Sequence, residues 1–209
     1  MFADRADAAG QLTALIIEQV KTKNAVVLAV PRGGLPIGAA VATALKAPLD
    51  VILTKKIGAP GNPEFAIGAV TEHGYFVDPA YDTQELGSYL RTEIERIQKL
   101  LAKRAHLYRQ DRQTPTLRDK VVIIVDDGVA TGRTLIAALN DIAQQQPDHV
   151  IIATPVITPD ARELLHDHGA RVISVLTPEH LQAIGQFYYD FSQVSDEEAM
   201  RILHAYQQR

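Results

Sequence analysis

Cysteine is absent from the 209 residues, which removes disulfides, thiolate nucleophiles and cysteine metal sites from consideration. A basic excess is also missing. Lys and Arg number 21 against 25 Asp and Glu, a formal net charge of -4, so the chain is not built to hold a polyanion such as nucleic acid, and any phosphate ligand must be caught locally. No apolar run approaches the roughly 18 residues that a membrane helix needs. The opening MFADRADAAGQL carries two aspartates and no unbroken apolar core, so it does not read as a secretory signal, and a cytoplasmic address with no membrane partner is the default expectation.

What is present is enough apolar material for a sizeable core: 46% of residues are hydrophobic and 22% charged. The length suits one domain over 1–209 with a small appendage. Residues 6–20 place Leu12, Leu15, Ile16 and Val20 at helical spacing, predicting an N-terminal helix. Continuous apolar runs at 25–30, 49–54, 121–125, 150–154 and 172–176 look like strands covered on both faces. Helical patterns follow at 37–45, 135–145 and 161–168, and a last helix is expected from Ser195 to about Tyr206. Alternation of buried strands and helices predicts an open, mainly parallel α/β sheet flanked by helices, with ligands beyond the carboxyl ends of the strands.

Three segments interrupt that rhythm. Gly58-Ala59-Pro60-Gly61-Asn62-Pro63 holds two prolines and two glycines and is expected to be an irregular, mobile loop. Residues 66–71 and 75–77, around Glu72-His73-Gly74, predict a short hairpin. Residues 83–108 predict a long helix whose apolar stripe packs either on its own core or on another subunit, which would make a homodimer.

The densest chemical signal follows the run 121–125. Asp126 and Asp127 arrive together at the carboxyl end of a buried strand, and Gly128-Val129-Ala130-Thr131-Gly132 turns tightly into a helix beginning near Arg133. Unsatisfied N–H groups and the dipole at a helix start attract an anion. Thr131 and Thr134 add hydroxyl donors, and Gly132 allows close backbone approach. If a phosphate sits in that cup, the two carboxylates lie one sugar's length away, where they accept hydrogen bonds from vicinal hydroxyls. The inferred ligand is a ribose 5-phosphate.

This stretch resembles the phosphoribosyl pyrophosphate signature of the type I phosphoribosyltransferases: apolar residues, an acidic pair, then a small-residue loop ending in Thr-Gly-x-Thr. The match is dense over about 14 consecutive positions, far more specific than a lone glycine motif. It implies the phosphoribosyltransferase type I fold, with a small hood built from the N- and C-terminal segments, and a 5-phosphate held by Val129, Ala130, Thr131, Gly132, Arg133 and Thr134. Pro31-Arg32-Gly33-Gly34 resembles the family's pyrophosphate loop. Lys55-Lys56, with the Gly58–Glu64 segment, resembles the basic pair and flexible loop that close over pyrophosphate. Arg32, Gly33, Gly34, Lys55 and Lys56 are therefore the expected pyrophosphate-binding residues. The order of the whole chain, with Phe2-x-Asp4-Arg5 at one end and Tyr189-Asp190-Phe191 near the other, looks like a subgroup of uncharacterised phosphoribosyltransferases.

The resemblance implies displacement of pyrophosphate by a nitrogenous base or amine at the anomeric carbon, with Asp126 and Asp127 facing developing positive charge and Arg32, Lys56 and Mg2+ balancing the leaving group. Mg2+ would be held mainly by the substrate's own oxygens and water. His73, His149, His166 and His168 show no ligand spacing and read as surface residues, so no protein metal site is expected. Where relatives acting on 6-oxopurines carry an aspartate, this chain has Ala130, which cannot handle a proton and disfavours hypoxanthine or guanine. The acceptor stays open. Pro155, Val156 and the aromatics at 187–191 are candidates for base recognition, although such aromatics more often pack the core.

Two other classes compete. A regulator that binds the phosphoribosyl ligand without turning it over would carry the same cup, and only the expected lid at 58–64 speaks against it. A receiver or phosphatase reading of Asp126-Asp127 lacks a separate strand-end aspartate and a late-strand lysine. The basic positions Lys99, Lys103, Arg104, Arg109 and Arg112 read as a solvated helix end rather than a nucleic-acid surface.

Overall fold

The computed structural model describes residues 1–110 and 112–208. Five parallel strands form the central sheet in the order β2-β1-β6-β7-β8. They are β1 (Ala25–Ala29), β2 (Leu49–Val51), β6 (Val121–Val125), β7 (His149–Val156) and β8 (Arg171–Leu176). β1 and β6 are buried at every position, so their side chains divide by parity. Ala25, Val27, Ala29, Val121, Ile123 and Val125 enter one core, while Val26, Leu28, Val122 and Ile124 enter the other.

The first core is covered by α1 (Arg5–Gln19), α2 (Gly34–Leu45), α3 (Gly87–Arg109) and α6 (Asp196–Gln207), and the second by α4 (Arg133–Ala143) and α5 (Pro159–Asp167). The N-terminal helix starts where Asp4 accepts from the Ala6 and Asp7 N–H groups, and the last starts where Ser195 accepts from Glu198 N–H. Both are capping arrangements that satisfy orphan donors. α2 begins three residues before the expected start because Pro36 falls in its first turn, where no intrahelical N–H is needed. α3 begins at Gly87 rather than Thr83, since the Leu86 and Gly87 N–H groups bond Thr83 and Gln84 in tight turns. Leu90, Ile97, Leu101, Ala105 and Tyr108 on this helix pack on the chain's own core, while Leu107 is 58% exposed.

The expected loop at 58–63 is a correction. β3 (Lys55–Ala59), β4 (Asn62–Val70) and β5 (Tyr75–Val77) form a separate antiparallel sheet in that order. The turn between β3 and β4 is Pro60-Gly61, with Gly61 at φ 76°, the pairing that suits proline's fixed φ followed by a positive one. Pro63 is tolerated because the register jumps from Ala59↔Asn62 to Gly58↔Ala66, and residues between them lie in a bulge without ladder partners. A Cβ on Gly58 would stand 2.6 Å from Pro63 Cα, so the two strands close only around a glycine. Prolines and glycines that forbid a strand in isolation here shape one.

Candidate functional site

Asp126 and Asp127 leave β6 at its carboxyl end, where the chain parts from β7. Asp126 N–H still bonds Ala153, and Val129 N–H then reaches Val156. Thr158 fastens the loop by donating its hydroxyl to Ala130 O at 2.8 Å. Ala130 and Thr131 are exposed. Gly132 adopts φ 70° as the cap of α4 and contributes no side-chain bond, a conformation that a glycine holds without strain. The start of α4 therefore opens onto the loop with no side chain closing it.

The turn after β1 meets this loop. Gly34 N–H bonds Val30 O, Val30 N–H bonds Val125 O, and the Pro31-Arg32 peptide is cis. A Cβ on Gly33 would lie 1.8 Å from Asp127 Oδ2, and one on Gly34 would lie 2.6 Å from Val125 O. Two motifs almost a hundred residues apart in sequence are thus in direct contact, and glycine is required at both positions for that contact.

The basic residues expected around the ligand are engaged elsewhere in the protein. Arg32 lies 3.7 Å from Asp196 Oδ2, and Asp196 also accepts from the Tyr108 hydroxyl at 3.2 Å. Lys56 pairs with Glu64 across the β3–β4 hairpin at 2.7 Å. Lys55 lies on the side of β3 toward Glu93 of α3, whose carboxyl it helps to lower behind the larger effect of the Arg96 hydrogen bond. Arg133 donates to Asp78 at 2.6 Å, joining α4 to the chain just after β5. Neither lysine is bonded to Asp126 or Asp127. Thr131 and Thr134 keep their place at the mouth of α4.

Residues that sequence reasoning did not assign to the site complete it. Arg5 donates Nε and Nη2 to Asp127 Oδ2 at 2.9 and 2.7 Å. Its guanidinium carbon stands 4.0 Å over the Phe191 ring, a cation–π contact. Tyr188 donates its hydroxyl to Asp127 O at 2.7 Å, and its ring packs on Phe2 and Phe191. Ile184, in a short 3-10 turn (Ile184–Phe187), lies against Gly128. A signal existed for some of them: Phe2-x-Asp4-Arg5 and Tyr189-Asp190-Phe191 stood out as features of the resemblance, and the structure joins them through the Phe2↔Tyr188 bridge. Asp196 had none, because an acidic residue in a helix's first turn is commonplace.

A cavity of about 540 Å³ adjoins the turn, lined by Arg5, Arg32, Gly33, Arg104, Phe191 and Gln193 among others. Burial, and then the neighbouring Asp127 charge, push the Asp126 carboxyl well above its ordinary range. Burial and Asp127 also push the Tyr188 hydroxyl up, so it remains a donor. Among the described residues, no group of three or more His, Asp or Glu side chains is placed to hold a metal ion, and no helix is long and apolar enough to cross a membrane.

Comparison with known proteins agrees with this fold. A crystal structure of TT1426 from Thermus thermophilus is 38% identical, with a TM-score of 0.84 over 98% of each chain. The AQ2163 protein from Aquifex aeolicus shares the fold at 15% identity, with a TM-score of 0.54 over 87% of this chain and 78% of that one. A Mycobacterium tuberculosis protein named "Putative phosphoribosyl transferase" is 37% identical over 206 residues, covering 97% of this chain and 46% of its own length. The chain spans about half the length of the curated relatives it matches. The sequence model of the phosphoribosyl transferase domain matches residues 3–192, and by that match, together with the parallel sheet, the chain belongs to that family.

Proposed function

We propose that this chain binds phosphoribosyl pyrophosphate with Mg2+ and transfers the phosphoribosyl group to a nitrogenous base or amine. The observation that carries the reading is the contact of Gly33 with Asp127. A sugar whose 5-phosphate lies over the start of α4 and whose hydroxyls meet Asp126 and Asp127 directs its C1 substituent toward the Pro31–Gly34 turn. The C1–O bond to pyrophosphate breaks, the acceptor nitrogen bonds C1, and that nitrogen loses its proton. Asp126 and Asp127 hold the ribose and face the positive charge that develops at C1. Arg32 and Lys56 exchange Asp196 and Glu64 for pyrophosphate oxygens, while Val129 to Thr134 keep the 5-phosphate in place. Two adjacent carboxylates without a third acidic ligand suit an ion that arrives on the substrate's own oxygens. Bound there, Mg2+ would offset charge on the leaving pyrophosphate.

A second reading is a regulator that binds the same ligand without turnover. The hairpin at residues 55–70 favours keeping it in view, since a mobile lid was the feature that spoke against a sensor. Calorimetric titration of phosphoribosyl pyrophosphate with Mg2+ into wild type and into the Asp126→Asn/Asp127→Asn double variant tests the site. Binding by wild type and its loss in the variant are expected, and a folded wild type that does not bind refutes the proposal. Pyrophosphate release with a panel of bases then separates the enzyme from the regulator.

A further inference from the structure

We propose that Arg5 is a positioning residue of the ribose site, holding Asp127 through Oδ2 alone so that Oδ1 stays available to a sugar hydroxyl. The inference rests on the ribose-phosphate reading above. Its basis is the way the guanidinium is used. Both Nε and Nη2 converge on the same oxygen of Asp127, and Nη1 donates to Ser192 O at 2.7 Å. The plane lies over Phe191. With side chains only 13% and 16% exposed, this is a largely desolvated, charge-assisted contact, stronger than a surface pair.

The anchorage is built from both ends of the chain. Phe2 N–H bonds Phe187 O, Tyr189 N–H bonds Phe2 O and Asp190 N–H bonds Ala3 O. That short pairing fixes where α1 begins and therefore where Arg5 points. Oδ2 is packed on its other side by Gly33, whose missing side chain leaves the space it occupies. Both Arg5 bonds fall on Oδ2 and neither on Oδ1, and the Asp126 carboxyl is the other side-chain neighbour of this carboxylate. Asp126 Oδ1, by contrast, accepts from Asp127 N–H at 2.8 Å. One carboxylate is oriented by its neighbour's backbone and the other by Arg5.

Charge supports the same role. Asp127 faces Asp126 on its own strand end, Arg5 from α1 and the Tyr188 hydroxyl from the C-terminal segment, while Arg32 lines the cavity beside Arg5 and Gly33. Asp190 lies close enough to feel Arg5. Two adjacent carboxylates repel, and Arg5, bonded to one of them, opposes the rise that burial and Asp127 impose on the Asp126 carboxyl.

The test is calorimetric binding of phosphoribosyl pyrophosphate with Mg2+ to wild type, Arg5→Gln and Arg5→Lys between pH 5 and 8, with a melting curve for each. Comparison among variants cancels the ligand's own titration. Arg5→Gln is expected to weaken binding at least about tenfold, the scale of a lost charge-assisted pair, and to move the acid limb of the binding profile to higher pH, because Arg5 lowers the Asp126 carboxyl. Arg5→Lys keeps the charge with a poorer fork, so a loss of about threefold with the acid limb unmoved is expected. Equal or tighter binding by Arg5→Gln overturns the proposal, tighter binding meaning that Arg5 blocks the carboxylate. Should Arg5→Gln not fold, wild-type affinity in Arg5→Lys overturns it instead. A wild type that does not bind removes the underlying reading and this inference together, an outcome distinct from either.

Discussion

Gly33 and Asp127 are in such close contact that a single methyl group on Gly33 would stand 1.8 Å from Oδ2 and 2.4 Å from Cγ. The carboxylate occupies the volume that any other residue at position 33 would claim. Gly33→Ala must displace either the turn or Asp127, and Asp127 is held by Arg5. The expected outcome is a stability loss of about 1–3 kcal/mol, as for overpacking, with binding of phosphoribosyl pyrophosphate weakened beyond about tenfold. Melting curves and calorimetry on the same preparation check both halves.

Asp126 should show a trade between stability and ligand. Its carboxyl is pushed well up by burial and by Asp127, so in the folded protein its charged form is disfavoured. A raised folded pKa contributes stability that is present below the unfolded pKa and lost as pH rises through the folded one. Asp126→Asn removes that loss while keeping an Oδ1 to accept from Asp127 N–H. The variant is expected to melt higher than wild type at pH 7 and to bind the ligand more weakly. A variant that melts lower at pH 7 would contradict the assigned cause.

Away from the site, Arg109 joins Asp50 of β2 and Glu72 of the β4–β5 turn, at 2.9 and 2.8 Å. It also donates to Val51 O. Asp50 is 3% exposed; burial raises its carboxyl and the Arg109 charge opposes the rise. Arg109→Met leaves a buried carboxylate without its cation, expected to cost about 3–5 kcal/mol at pH 7. Because the Asp50 pKa then climbs further, the folded state takes up a proton that the unfolded state releases. The deficit should therefore shrink as pH falls toward the unfolded carboxylate value. Urea melts at pH 7 and pH 4.5 measure it, and a deficit that grows at the lower pH would count against this account.

Gly128 is crowded by a side chain rather than by backbone. An added Cβ would meet Ile184 Cγ2 at 2.2 Å and Cδ1 at 2.7 Å. Gly128→Ala should cost about 1–2 kcal/mol, and Ile184→Ala in the same chain should return much of it. A double-mutant cycle on melting free energies is expected to give a coupling of at least about 0.5 kcal/mol. Additive effects would mean that the loop moves instead of Ile184.

Legibility in the sequence followed the range of the interaction. The run 121–125, the acidic pair and the glycine turn into α4 were readable because strand burial, carboxyl-end placement and helix-start geometry all depend on neighbours a few residues apart. The parallel sheet was readable because alternation of strands and helices admits few arrangements. Residues 58–63 read as a loop only while their prolines and glycines are taken alone. A turn at Pro60-Gly61 and a bulge around Pro63 exist only once β3 and β4 are paired.

The sequence by itself determined that two carboxylates and a glycine turn into a helix stand at the end of β6, since those features are built from consecutive residues. Only the tertiary structure decided what surrounds them. Arg5 reaches Asp127 across 122 positions, Asp78 takes Arg133 across 55, and Asp196 takes Arg32 from the far end of the chain. Each is an ordinary charged residue on a helix or loop, without local periodicity or spacing to mark it. Its partner is chosen by how the helices pack on the sheet and by where the chain's two ends meet.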